Sequence, residues 1–149
     1  MSPRAWLVVR LLFVGFWAFS GITSDFPTLP ASQLTGPIVF AIVVGAIGAR
    51  FWVFREYKKK NRTAPWLLPS WFINPFQTRQ PFQFFHLGAI SFIAFGVTAA
   101  IRHAITVGSP NFWPAELFAA AFGLGILGGI WLTTNTHRGR FVSGENRHA

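Results

Sequence analysis

Arg102 and His103 stand side by side, and Glu116 follows in the same stretch of chain. A guanidinium, an imidazole and a carboxylate brought together can form a charge-assisted pair or hold a proton. They fall where one apolar run ends and the next begins. An Arg102–Glu116 or His103–Glu116 contact is therefore expected, as a latch between the two runs or as part of a proton or ligand site. His86 lies about one turn inside the third apolar run. At about 100° per residue it shares a helical face with Ala89 and Gly96, and less closely with Gln83. It should point into a helix bundle, bonded to a backbone carbonyl or to the tail, with proton relay or ligand contact as the sharper reading. Ser91 and Thr98 share one face of the same run, and such hydroxyls commonly bond back to their own helix.

Other chemistry is poorly supplied. The sequence has no cysteine, which removes disulfides, thiolate metal sites and cysteine nucleophiles. There is no HExxH zinc spacing, no Walker loop, no GxSxG, and no pair of carboxylates among the 4 acidic residues that reads as an acid–base couple. Asp25, Glu56 and Glu145 lie outside the apolar runs. A bis-histidine haem site through His86 and His137 can be drawn, but His137 reads as tail sequence, so no cofactor and no metal is expected. This inventory argues against an enzyme.

The elements that must position these residues are set by composition. Of 149 residues, 52% are hydrophobic and 11% charged, against about 25% charged in a soluble domain. With 18 Phe and 7 Trp, the chain carries more apolar surface than a core of this size can hide. A bilayer needs no such core, so the expected class is an all-α integral membrane protein. Four runs approach the ~20 residues a helix needs to cross: about 5–23, 37–54, 82–101 and 115–134. Helix is the state that satisfies their backbone in lipid, and they lack the alternation of barrel strands. Pro37, Pro81 and Pro114 suit first helical turns, and Glu116 would sit in the first turn of the last span. The chain reads as a single transmembrane domain, a four-helix bundle, with a loop at 55–81 and a tail at 135–149. The first run has weak signal-peptide features near Ala18 and Ser20, but bulky Trp17 and Phe19 favour an uncleaved helix.

Twelve of the 13 lysines and arginines fall before or within the first span, from the last turn of span two to the start of span three, or in the tail. Arg102 is the exception. By the positive-inside rule both termini and the 55–81 loop are cytoplasmic, in a bacterial inner membrane. The same rule explains the net charge of +9 without nucleic acid. Arg55, Lys58, Lys59, Lys60 and Arg62 would also attract anionic lipid headgroups. In the loop that follows, Trp66, Trp71, Phe72 and Phe76 are interrupted by prolines that forbid a long helix. They are expected to form an irregular interfacial collar, a re-entrant loop being the competing geometry.

Small residues recur at four-residue spacing: Ala41, Gly45 and Ala49; Gly96, Ala100 and Ala104; Ala121, Gly125 and Gly129. Such rows let helix backbones approach closely, within one chain or between a chain and its partner. The expected role is a non-enzymatic accessory, assembly or anchoring subunit that binds another membrane protein or itself through these faces. The alternative is a small oligomeric transporter or channel using His86, Ser91 and Thr98.

Overall fold

The computed structural model describes residues 3–59, 83–109 and 111–136. Lys60, Arg62, the aromatic collar at Trp66, Trp71, Phe72 and Phe76, and His137 lie outside the described residues. Among the described residues the fold is all-helical apart from two three-residue strands. In chain order the elements are α1 (Pro3–Thr23), β1 (Thr28–Pro30), α2 (Ala31–Lys59), α3 (Gln83–Thr106), β2 (Phe112–Pro114) and α4 (Leu117–Thr136).

Two helices contain stretches long and apolar enough to cross a membrane, Ala31–Val53 in α2 and His86–Thr106 in α3. The corresponding stretches of α1 and α4, Leu7–Thr23 and Leu117–Thr133, are shorter.

Several helix boundaries differ from those expected. α2 begins six residues before Pro37, which therefore lies inside the helix. Its start is fixed from outside, because Ala31 N–H donates to the Asn111 carbonyl (3.0 Å). α2 also continues past position 54 through Lys59, so Arg55, Lys58 and Lys59 belong to its last turns. α3 runs beyond 101 because "AAIRHAIT" contains no helix breaker, and Arg102 and His103 are thus helical. It ends at Thr106; Val107 N–H still bonds back to the His103 carbonyl at 2.9 Å, and the chain then turns away at Gly108, whose φ of 63° suits a residue without a Cβ. α4 begins at Leu117, after Pro114 has been taken up by β2 and with Glu116 just ahead of its first turn.

The helices pack in the spatial order α1–α3–α4–α2. α1 and α3 run parallel, as Trp17 meets Phe92 and Phe95 while Gly21, further along, meets Phe95 and Thr98. α3 and α4 are antiparallel, with Gly96 against Glu116 and Ala120, and Gly123 against Ala89 and Ile93. α4 and α2 are parallel, with Gly125 against Ile42 and Gly129 against Ala46.

At these seams backbone meets backbone. A Cβ at Gly45 would lie 2.6 Å from the Phe122 carbonyl oxygen, and one at Gly129 2.5 Å from that of Ala46. Between α3 and α4, a Cβ at Gly96 would lie 2.6 Å from the Glu116 carbonyl oxygen. Ala41, Ala49 and Ala121 are buried beside the glycines, whereas Ala100 is half-buried and Ala104 exposed. Close approach of this kind gains dispersion contacts that larger side chains would hold apart.

The two strands pair antiparallel in the register Thr28↔Pro114, Leu29↔Trp113, Pro30↔Phe112. They tie the α1–α2 connection to the α3–α4 connection at one end of the bundle, hereafter the strand end.

Two glycines of α2 and α4 should respond oppositely to alanine. Gly125→Ala drives a Cβ into the Ile42 backbone, an overpacking that costs about 1–3 kcal/mol. Gly48 faces open space, so Gly48→Ala should gain up to about 1 kcal/mol from helix propensity. Thermal unfolding of the purified variants checks both, with the melting temperature falling for the first and holding or rising for the second.

Candidate functional site

Arg102, His103 and Glu116 come together at the strand end, but in a different arrangement from the expected pair. Arg102 lies on the face of α3 that meets the end of α1. Its guanidinium donates to the Ser24 carbonyl and to Asp25 Oδ1, the latter at 2.7 Å. Glu116 receives its bond from Ser24, whose Oγ is 2.7 Å from Oε1. His103 Nε2 lies 2.6 Å from the Phe112 carbonyl oxygen. A carbonyl can only accept, so this nitrogen carries the hydrogen and the tautomer is fixed by β2. The His103 ring also lies against Trp113, with centroids 6.2 Å apart.

Neither expected contact to Glu116 is therefore made directly. The end of α1 comes between them: Ser24 takes the carboxylate and Asp25 takes the guanidinium. Ser24 and Asp25 were absent from the sequence-based candidates. Their signal was Asp25 itself, the sole charged residue of the first connection, but it becomes useful once α1 and α3 are known to be parallel neighbours. Burial divides the group. Glu116 and His103 are each 6% exposed, whereas the Asp25 side chain is 86% exposed and that of Arg102 36%. The outer ion pair sits at a wet rim, where screening leaves it with little energy. The inner carboxylate is buried.

These side chains line a cavity of about 170 Å³ together with Gly21, Phe26, Thr28 and Thr106. Its remaining polar groups are mostly occupied. The Thr106 hydroxyl donates to the Arg102 carbonyl (2.9 Å), and Ser24 Oγ also lies 3.2 Å from the Gly21 carbonyl oxygen.

The other polar candidates sit elsewhere on α3. Ser91 donates to its own helix at the Leu87 carbonyl, at 2.7 Å. Thr98 Oγ1 lies 2.8 Å from the carbonyl oxygens of Ala94 and of Ala18, so its hydroxyl joins α3 to α1. His86 is buried towards the opposite end of the bundle. Arg10 is buried too, although an arginine near a helix end often snorkels outwards. It shares the α3-facing stripe of α1 with Trp17 and Gly21, seven and eleven residues on, which explains its burial. Among the described residues no cluster of three or more His, Cys, Asp or Glu is arranged to hold a metal ion.

No family model, curated protein or solved structure matches this chain.

The two bonds made by the end of α1 should differ in weight. Ser24→Ala removes the donor to a buried carboxylate and should lower stability by about 1–3 kcal/mol. Asp25→Ala breaks an exposed pair and should change it by about 0–1 kcal/mol. Denaturation of the two variants side by side measures the difference, and equal losses would contradict this division of the cluster.

Proposed function

We propose that this chain is a small multi-pass protein of the bacterial inner membrane, with all four helices crossing the bilayer and both termini on the cytoplasmic side. In this reading it is a non-enzymatic accessory, assembly or anchoring subunit that docks another membrane protein or a second copy of itself. The observation that carries the reading is the contrast between tight glycine seams and broad apolar outer faces. Inside, glycine rows on α2, α3 and α4 bring backbones together, an arrangement suited to a scaffold more than to a conduit. Outside, Leu12, Phe16 and Phe19 of α1 are exposed, as are Phe40, Ile47 and Phe51 of α2, with Phe51 at 71%. A soluble monomer rarely presents apolar surface so continuously.

The apolar stretches of α1 and α4 fall at the short end of the ~17–25 residues of known spans. Their flanks favour crossing nonetheless. With four crossings, the sequence order of the 13 basic residues would assign all but Arg102 to one side, as the positive-inside rule requires. Because Gly45, Gly125 and Gly129 are occupied within the chain, a partner would meet the outer faces of α1 and α2 instead of the glycine rows.

Orientation is tested with introduced thiols, since the sequence has no cysteine of its own. Ser32→Cys should react with an impermeant maleimide applied from outside intact cells, and Lys59→Cys only after the membrane is breached. Labelling of Lys59→Cys from outside contradicts the topology. For the role itself, purification in mild detergent followed by native mass spectrometry should yield a defined complex with a second polypeptide or a homo-oligomer. Reconstituted protein that conducts ions or solute without any partner polypeptide, with flux altered by His86→Ala, would instead establish the alternative, a small oligomeric transporter or channel.

A further inference from the structure

Glu116 lines two cavities at once. One is the polar cavity of about 170 Å³ bounded by Ser24, Asp25, Arg102 and His103. The other is apolar, about 390 Å³, and is walled by Phe26, Leu29, Leu34, Phe95 and Phe118. Phe26 is common to both. The larger volume lies within the range of ~300–1,000 Å³ typical of small-molecule sites.

The carboxylate between them is incompletely satisfied. Oε1 accepts from Ser24, while Oε2 is buried and receives no hydrogen bond from the described residues. Three of the nearby donors are engaged elsewhere: Arg102 on Ser24 and Asp25, the His103 Nε2 hydrogen on Phe112, and the Thr106 hydroxyl on Arg102. Arg102 is paired with Asp25, so the Glu116 carboxyl has no ion-pair partner within the cluster. A buried carboxylate oxygen without a donor is costly, and an occupant that brings both a donor and a positive charge removes that cost. Water in the polar cavity can supply a donor, but it brings no charge and does not fill the phenylalanine-walled space beside it. A bare divalent cation such as calcium wants six or more oxygen ligands, which Glu116 and Ser24 do not provide.

We infer that Glu116 anchors a binding site for a small amphipathic amine. The protonated nitrogen enters the polar cavity and donates to the Glu116 carboxylate, and the apolar body lies against Phe26, Phe95 and Phe118. The amine can be carried by a free small molecule or by an aminolipid headgroup, and the chemistry at Glu116 is the same for both.

The test uses the full chain purified in mild detergent. Isothermal titration calorimetry compares phenethylammonium with its neutral isostere phenethyl alcohol, and with a short-chain phosphatidylethanolamine. The wild type should bind phenethylammonium saturably and about tenfold or more tighter than the alcohol, as a charge-assisted hydrogen bond implies. Glu116→Gln, which keeps the shape and removes the charge, should bring the two affinities within about threefold of each other. Ala119→Phe fills the apolar cavity without touching the carboxylate and should weaken both ligands; it also keeps the idea testable should Glu116→Gln not fold. Displacement of phenethylammonium by the phospholipid supports an aminolipid as the source, and its failure supports a free amine. Absence of saturable binding by either amine, equal affinity for amine and alcohol, or a preference that survives in Glu116→Gln would overturn the inference.

Discussion

The spacing of glycines along α4 is the constraint on which the packing depends. Residues two apart on a helix point about 200° away from each other, so Gly123 and Gly125 face opposite neighbours. Gly123 receives α3, through the Ala89 backbone, and Gly125 with Gly129 receives α2, through the backbones of Ile42 and Ala46. A single sequence, "FGLGILGG", thereby makes α4 an inner helix with a close partner on each side. α3 is the other inner helix. Gly96 and Ala89 serve its α4 side, while Phe95 and Thr98 serve α1. The remaining helices have one main neighbour each, which is why α1 and α2 keep most of their apolar side chains exposed.

The two outer seams differ in chemistry. The α2–α4 contact is built from small residues and backbone. The α1–α3 contact uses rings: Trp17 packs against Phe92 and Phe95 at 5.9–6.3 Å between centroids, and Thr98 bridges the two backbones. Aromatic pairs contribute about 0.5–1.5 kcal/mol beyond their area and tolerate a wider helix separation. Gly21, one turn beyond Trp17, then lets α1 close onto α3 at the strand end. Towards the other end Arg10 remains on the same stripe, so its stem is enclosed with its neighbours.

Much of this was legible in the sequence because it follows from composition and period. Four apolar runs became four helices, and the residues at four-residue spacing, Gly45, Gly125 and Gly129, lie where backbones meet. Order in space was not legible. Nothing in the spacing of Arg102 and Glu116 reveals that α1 and not α2 is the parallel neighbour of α3, and so the pair was expected to meet directly. The boundaries erred for local reasons. Arg102 was read as the end of an apolar run, yet a charge at a helix end can find partners outside its helix, here Ser24 and Asp25. Pro37 was read as a helix start, although the Asn111 carbonyl begins α2 earlier. The short strands gave no signal either, since "TLP" and "FWP" lack alternation and are held in register by the helices they connect.

That ladder also explains how a buried carboxylate is accommodated at the margin of an apolar bundle. α1 packs on α3, while α4 lies on the far side of α3, so the helix seams alone do not determine the distance from Ser24 to Glu116. The strands do. Pro27 accepts from Ala115 N–H at 3.2 Å, and Thr28 pairs with Pro114, which brings the residues just before β1 alongside those just after β2. Ser24 is thereby held within 2.7 Å of Glu116. β2 acts on His103 as well, through the Phe112 carbonyl. Both walls of the adjoining apolar cavity belong to the same construction, with Phe26 and Leu29 coming from the β1 side and Ala115, Phe118 and Ala119 from the β2 side. A shift of one residue in the strand register would move Glu116 away from its donor and remould the cavity together. The polar cluster, the cavity and the closure of the strand end are consequences of one pairing, made where the flanking backbones leave their helices and need partners of their own.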